Sequence, residues 1–60
     1  MMEIKKITPE EASNLIETRE PKGLFYTIED GLFIGIDNRS GDAWVEEFIS
    51  LSGCKKWLVG

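Results

Sequence analysis

The polar loop DNRSGD, residues 37–42, holds the densest set of potential ligands in the chain. Four of its side chains carry oxygen atoms of the kind that bind calcium: Asp37, Asn38, Ser40 and Asp42. An EF-hand loop counted from Asp37 needs ligands at its third and twelfth positions, where this chain has Arg39 and Phe48. The spacing therefore predicts no metal site. Asp and Asn in such a loop instead favour a reversal of the chain.

Catalytic chemistry has few candidate residues. Glu46 and Glu47 are neighbours in a predicted strand, so their side chains point to opposite faces and cannot form an acid/base pair. Cys54 is the only cysteine, and the chain has no histidine that could activate it. The spacing of Cys54 with Leu51 and Leu58 predicts a small core residue. We therefore expect a non-enzymatic protein with no catalytic residue, cofactor or metal.

The composition is that of a small globular protein with an acidic balance. The 60 residues allow one small domain, residues 1–60. Eleven acidic residues against seven basic ones give a net charge of −4, which argues against direct nucleic-acid binding. No apolar run approaches the roughly 20 residues that span a bilayer, and the segment MMEIKKI lacks the apolar core of a signal peptide. With a single cysteine, these features predict a cytoplasmic protein without a membrane partner.

A helix is predicted from about Pro9 to Arg19. Thr8 is a suitable N-cap, and Glu11 completes a capping box three residues later. Pro21 disfavours helical geometry in the residue before it and so ends the helix. One face of the helix carries the apolar side chains of Ala12, Leu15 and Ile16. The preceding residues, Met2 to Lys6, are predicted to form a short extended arm.

Two strands, LFYTI and LFIGI, flank the turn signal EDG. A two-residue loop, Asp30-Gly31, would place Tyr26 opposite Gly35, whereas a three-residue loop would place Tyr26 opposite Ile34. We predict the three-residue loop, because that register collects six large side chains on one face. A four-residue loop, residues 38–41, then leads to a third strand over residues 43–49, in which Trp44 lies opposite Gly35.

The chain closes with a short predicted helix capped by Ser50 or Ser52. Its apolar side chains fall on one side: Leu51, Cys54, Trp57 and Leu58. The predicted fold class is therefore α+β, a three-stranded antiparallel meander with an N-terminal and a short C-terminal helix, in the order α-β-β-β-α. Both helices are expected to pack on the aliphatic face of the sheet.

The opposite face of the predicted sheet is aromatic, and we predict that it binds a partner. Its residues are Phe25, Phe33, Trp44 and Phe48, together with Glu46. An exposed apolar patch of this kind marks an interface, and aromatic residues dominate interface energetics. A second copy in a twofold homodimer, or another protein, would cover it, with Trp44 as the anchor. Alternatively, the second helix or the N-terminal arm covers this face and makes it a second small core.

The segment PKGLF…FIGIDNRSGDAWVEEF…KKWL, from about Pro21 to Leu58, resembles small uncharacterised proteins encoded by phages and prophages of Gram-positive bacteria. The string GDAWVEEF is its most specific part, and Gly53 departs from the helix former expected there. The resemblance implies no activity and no functional residues. It does imply a setting in the host cytoplasm, where small acidic phage proteins bind host proteins.

Two functions follow as expectations. The first is a phage-type interaction protein that binds itself or a host protein through the aromatic face. The alternative is an acidic decoy that mimics nucleic acid and so inhibits a host nucleic-acid-binding protein. The decoy surface would consist of carboxylates, namely Glu29, Asp30, Asp37, Asp42, Glu46 and Glu47, and could extend to Glu10, Glu11 and Glu17. Binding through that surface would weaken steeply with added salt.

Overall fold

The computed structural model describes residues 3–60. The elements in chain order are β1 (Ile4–Lys6), α1 (Pro9–Thr18), β2 (Leu24–Glu29), β3 (Leu32–Asp37), β4 (Trp44–Phe48) and α2 (Leu51–Val59). The four strands form one sheet in the order β1-β2-β3-β4. The predicted α+β class is confirmed.

The predicted three-stranded meander is wrong, because the N-terminal arm is a fourth strand. β1 pairs with β2 in the parallel direction, so the sheet is mixed. Ile4 lies beside Leu24, and the backbone N–H of Ile7 donates to the Tyr26 carbonyl at 2.9 Å. The parallel pairing is possible because α1 carries the chain back between the two strands. Met2, with which the predicted arm begins, lies outside the described residues.

The first helix begins as the sequence predicts. The Thr8 side chain accepts a hydrogen bond from the Glu11 backbone at 3.1 Å, and the Glu11 carboxylate accepts one from the Thr8 backbone at 2.9 Å. The helix ends one residue earlier than predicted, at Thr18, with Arg19 in the left-handed conformation as its C-cap. Ala12 and Leu15 are buried, as their spacing indicates, but Ile16 on the edge of that face is partly exposed.

The hairpin between β2 and β3 has the two-residue loop, and the predicted three-residue register is wrong. Tyr26 pairs with Gly35, and Thr27 pairs with Ile34. Asp30 has φ 54° and Gly31 has φ 78°, the two positive angles of the turn that matches the twist of the flanking strands. The one-residue difference turns every side chain of β2 to the other face relative to β3.

The connection between β3 and β4 is longer than predicted, because Asp37 pairs with Trp44. Glu46, not Trp44, therefore lies opposite Gly35. The shift from the predicted register is two residues, so Val45 keeps its predicted place on the same face as Ile34 and Ile36.

The two helices pack on opposite faces of the sheet, and the prediction of a shared aliphatic face is wrong. Ala12 and Leu15 of α1 form a core with Phe25 and Ile36. Cys54 and Leu58 of α2 form a second core with Leu24, which is adjacent to Phe25 in the strand and so points the other way. We name the two sides the α1 face, which includes Phe25, and the α2 face, which includes Leu24.

The last helix runs over Leu51–Val59, and the Ser50 hydroxyl caps it by accepting from the Gly53 backbone at 3.2 Å. Neither helix within residues 3–60 has the length and apolar character needed to cross a bilayer.

Candidate interaction surface

The α1 face of the sheet is only half covered. α1 packs over β2 and over the end of β3, where Phe25 and Ile36 are buried, and leaves Ile34 of β3 and the whole of β4 on that face partly or fully exposed. Ile16 at the rim of the helix is 39% exposed, and Val45 in β4 is 42% exposed. Apolar side chains on both sides of an opening therefore remain in contact with water.

Between α1 and β4 lies a groove with a volume of about 340 Å³, which we name the α1 groove. Its walls are mostly apolar, and its lining residues are Pro9, Ala12, Ser13, Ile16, Thr27, Glu29, Ile34, Ile36, Val45 and Glu47. Glu29 and Glu47 are the charged side chains of this lining. An apolar groove with carboxylates and no lining cation fits an apolar segment that carries positive charge.

Thr27 supplies an unpaired polar group to the lining of the groove. Its side chain is 1% exposed, and its Oγ1 has no hydrogen-bond partner within residues 3–60. Most buried hydroxyl groups in proteins have a partner. Because this oxygen is itself buried, the hydroxyl is an unsatisfied group beneath the floor of the groove and not a contact that an incoming molecule reaches directly.

One of the two edge strands of the sheet, β4, borders the same groove. β4 pairs only with β3 among the described strands, and its residues from Trp44 to Glu47 are exposed. Exposed edge strands offer unpaired backbone groups to another chain. The groove and the edge meet at Val45 and Glu47, which belong to both.

The residues predicted to bind a partner do not share one face. Phe25 is 5% exposed and lies in the core under α1. Phe33 and Phe48 lie on the opposite face and pack against the core under α2. The predicted face is wrong for Phe25, because the actual hairpin register moves it to the other side. The other predicted residues share the α2 face, where α2 packs on Phe33 and Phe48 as the alternative prediction has it.

Trp44 and Glu46 remain accessible. Trp44 is 63% exposed and pairs with Asp37, while Glu46 pairs with Gly35. Both lie on the α2 face of β4, at the free edge. They can contribute to an interface that wraps around this edge.

The polar loop after β3 stabilises itself. The Arg39 guanidinium donates to the Asp37 carboxylate, with Nη2–Oδ2 at 2.7 Å and Nε–Oδ1 at 3.0 Å. These hydrogen bonds hold the pKa of Asp37 below its ordinary value, against the raising effect of partial burial. The Ser40 hydroxyl donates to the Asp42 carboxylate at 2.9 Å. The side-chain oxygens of Asp37 and Asp42 thus accept hydrogen bonds within the loop, as the turn interpretation predicts, whereas the buried Oδ1 of Asn38 has no partner within residues 3–60.

Cys54, the other residue considered for catalysis, lies in the core under α2. Cys54 is fully buried, and burial raises the pKa of its thiol, which disfavours the reactive thiolate. No group of three Asp, Glu, Cys or His side chains within residues 3–60 is arranged to hold a metal ion.

A second groove lies on the α2 face beside β1, with a volume of about 590 Å³. Its lining combines Ile4, Leu51, Ser52 and Val59 with Lys55 and Lys56. It borders β1, the other edge strand of the sheet, which has three residues where β4 has five. We take the α1 groove as the candidate site because it lies beside the longer edge strand.

Sequence reasoning missed Ile16, Thr27, Ile34, Val45 and Glu47 as a group. The signal that could have found them is Asp30-Gly31, a favoured pair for a two-residue hairpin loop. That register places Thr27 beside Ile34, on the same face of the sheet as Ile36 and Val45.

Comparison of the chain with family models, curated proteins and solved structures finds no match of any of the three kinds.

Proposed function

We propose that this protein is a non-enzymatic interaction module that binds an apolar, basic segment of another protein in the α1 groove. The observation that carries the proposal is the open groove between α1 and β4, with apolar walls and charge of one sign. Trp44 and Glu46, on the other side of β4, extend the contact around the edge.

The apolar side chains of the groove provide a driving force for binding. Ile16 and Val45 keep 39% and 42% of their surfaces exposed, and Ile34 between them is partly exposed. Covering apolar surface is favourable by about 25 cal/mol per Å². The two walls stand on different elements, so a segment lying between them contacts both.

The charges of the groove favour a basic partner over a second copy. Glu29 and Glu47 line it, and Glu46 stands at the same edge. A second molecule would bring its own β4 carboxylates to this edge, and its net charge of −4 would oppose the approach. A segment with lysine or arginine residues would instead be attracted.

The sequence resemblance to phage proteins indicates which kind of protein the partner would be. The partner would be a protein of the host cytoplasm, and the module would act by occupying one of its segments. The support for this form is the resemblance of the GDAWVEEF segment together with the acidic charge of the chain.

The proposal is tested by selecting a random peptide library against the protein. The variant Ile16→Lys places a cation in the wall of the groove, and Val59→Lys makes the same change at an exposed position on α2. Peptides enriched on the wild-type protein are expected to contain β-branched and basic residues. They should be retained by Val59→Lys and lost by Ile16→Lys.

Enrichment that survives Ile16→Lys would place binding elsewhere and overturn the proposal. If such binding also weakened steeply with added salt, it would support the acidic decoy instead. Circular dichroism of both variants must first show a folded chain, which the partial exposure of Ile16 and Val59 leads us to expect.

A further inference from the structure

The hairpin turn determines which backbone groups of β4 are free. In a two-residue loop such as Asp30-Gly31, the flanking residues Glu29 and Leu32 form a hydrogen-bonded pair. Hydrogen-bonded and non-hydrogen-bonded pairs then alternate along the antiparallel strands. The far end agrees, because Gly23 and Asn38 exchange two backbone hydrogen bonds of 3.2 and 2.8 Å.

The alternation carries through to the free edge. Leu32, Ile34 and Ile36 direct their backbone groups toward β2, so the residues between them direct theirs toward β4. Those residues of β3 pair with Trp44, Glu46 and Phe48. Val45 and Glu47 therefore point their N–H and C=O groups away from the sheet, along the open edge. Their side chains are also those that line the α1 groove.

We propose that the partner segment adds to the sheet as a fifth strand, with its backbone hydrogen-bonded to Val45 and Glu47. This inference rests on the proposed function and specifies how the segment binds. An extended segment in this position directs alternate side chains over the α1 groove and over the α2 face. One set meets the apolar wall at Val45, and the other set lies beside Glu46 and Trp44.

The charges of the edge define the chemistry of that strand. Opposite charges across neighbouring strands are favourable, and like charges directly opposite are unfavourable. Two antiparallel copies of β4 centred on Glu46 would place Glu46 against Glu46, and Glu47 of each copy against Val45 of the other. Charged residues on an edge strand hinder such association between copies. A strand that alternates β-branched residues with arginine or lysine fits the same edge.

The probe for this mode of binding is a synthetic peptide of about ten residues that alternates valine with arginine, long enough to cover a typical strand. Two further peptides have the same sequence with methylated backbone nitrogens. One is methylated at every valine, and the other at every arginine. A strand donates to its neighbour only from every second residue. One methylated peptide should therefore lose binding and the other should keep it. A peptide with glutamate in place of arginine should not bind.

The protein side is tested with Val45→Pro. Proline is tolerated on an edge strand where the missing N–H would face away from the sheet. The variant should keep its fold and bind the peptide about tenfold or more weakly, since it loses a donor and gains a ring at the pairing edge. In the wild-type protein, peptide binding should slow hydrogen exchange at the amides of Val45 and Glu47. Val59→Lys, the control introduced for Ile16→Lys, should bind the peptide as the wild type does.

The outcomes separate this inference from the proposed function. In one outcome, binding of the peptide depends on Ile16, but both methylated forms bind equally and hydrogen exchange at the Val45 amide is not slowed. Strand addition is then overturned, and the groove remains the site. If neither this peptide nor any library peptide depends on Ile16, both proposals fall. A wild-type dimer in sedimentation experiments, with Val45 and Glu47 already protected before peptide is added, would show that a second copy occupies the edge and would overturn the inference.

Discussion

Gly35 of β3 lies directly beneath Cys54 of α2. A Cβ atom at residue 35 would stand 3.0 Å from the Cys54 Sγ and 3.2 Å from Cε3 of Trp57. The helix can approach the sheet this closely because the strand has no side chain at that point. The second core, under α2, therefore depends on a glycine in a strand interior, where glycine is otherwise unfavourable.

Gly35→Ala should destabilise the fold by about 1 to 3 kcal/mol, because the added methyl group overpacks the contact with α2. Cys54→Ala removes the sulfur that it meets, so the double variant should be more stable than the sum of the two single changes predicts. Urea unfolding of the four proteins measures this coupling. Strictly additive effects would show that the strand and helix do not meet at this point.

Thr27→Val should leave the free energy of unfolding unchanged or raise it by up to about 1 kcal/mol. The Thr27 hydroxyl is buried without a partner, so its removal ends a desolvation cost and loses no hydrogen bond. Thr27→Ser keeps the hydroxyl and deletes a buried methyl group, and it should cost about 1 kcal/mol. Chemical denaturation of both variants tests the pair. A loss of stability in the valine variant would show that the hydroxyl has a partner in solution.

Phe25 and Trp44 should respond oppositely to truncation. Phe25 is 5% exposed in the core with Leu15, so Phe25→Ala should cost about 3 to 5 kcal/mol and unfold much of the population of so small a domain. Trp44 is 63% exposed, so Trp44→Ala should change the free energy of unfolding by no more than about 0.5 kcal/mol.

Far-ultraviolet circular dichroism with thermal melting compares the two variants. A Trp44→Ala protein that unfolds would place the indole in a core and contradict its position at the free edge.

Asp37 should make stability depend on pH in acid. Hydrogen bonds from Arg39 hold the pKa of Asp37 below its ordinary value of 3.8. A lowered pKa in the folded state means that the ionised carboxylate stabilises the fold above 3.8, and that this contribution disappears as the pH falls through the folded-state pKa.

The comparison is between the wild-type protein and Asp37→Asn, each unfolded by urea over a series of pH values. The difference in their free energies of unfolding should stay constant above about pH 5 and shrink as the solution becomes more acidic. A difference that does not vary with pH would show that the Asp37–Arg39 pair does not form in solution.

The helices were predictable because their signals are local. Thr8, Pro9 and Glu11 define the start of α1 within four residues, and Ser50 does the same for α2. β1 was less visible, since three residues carry little periodicity and their pairing with β2 depends on contacts across the whole of α1.

The candidate site was not predictable from the register that the sequence analysis preferred. That register was chosen to gather large side chains on one face, which suits a sheet covered on one side. Here helices cover both faces, so each face needs its own apolar set, and Leu24 and Phe25 serve opposite cores. The conformational preference of Asp30-Gly31 was the better guide, because the turn geometry fixes the pairing directly.

The C-terminal end of α1 is attached to the connection that leads into β4. The Arg19 guanidinium donates to the carbonyls of Gly41 at 3.2 Å and Asp42 at 3.1 Å. These two hydrogen bonds restrain the distance between the helix and the edge strand, which form the two walls of the groove. If the proposed segment docks there, the thickness of its side chains becomes a criterion of selection, and little ordering entropy is lost on binding.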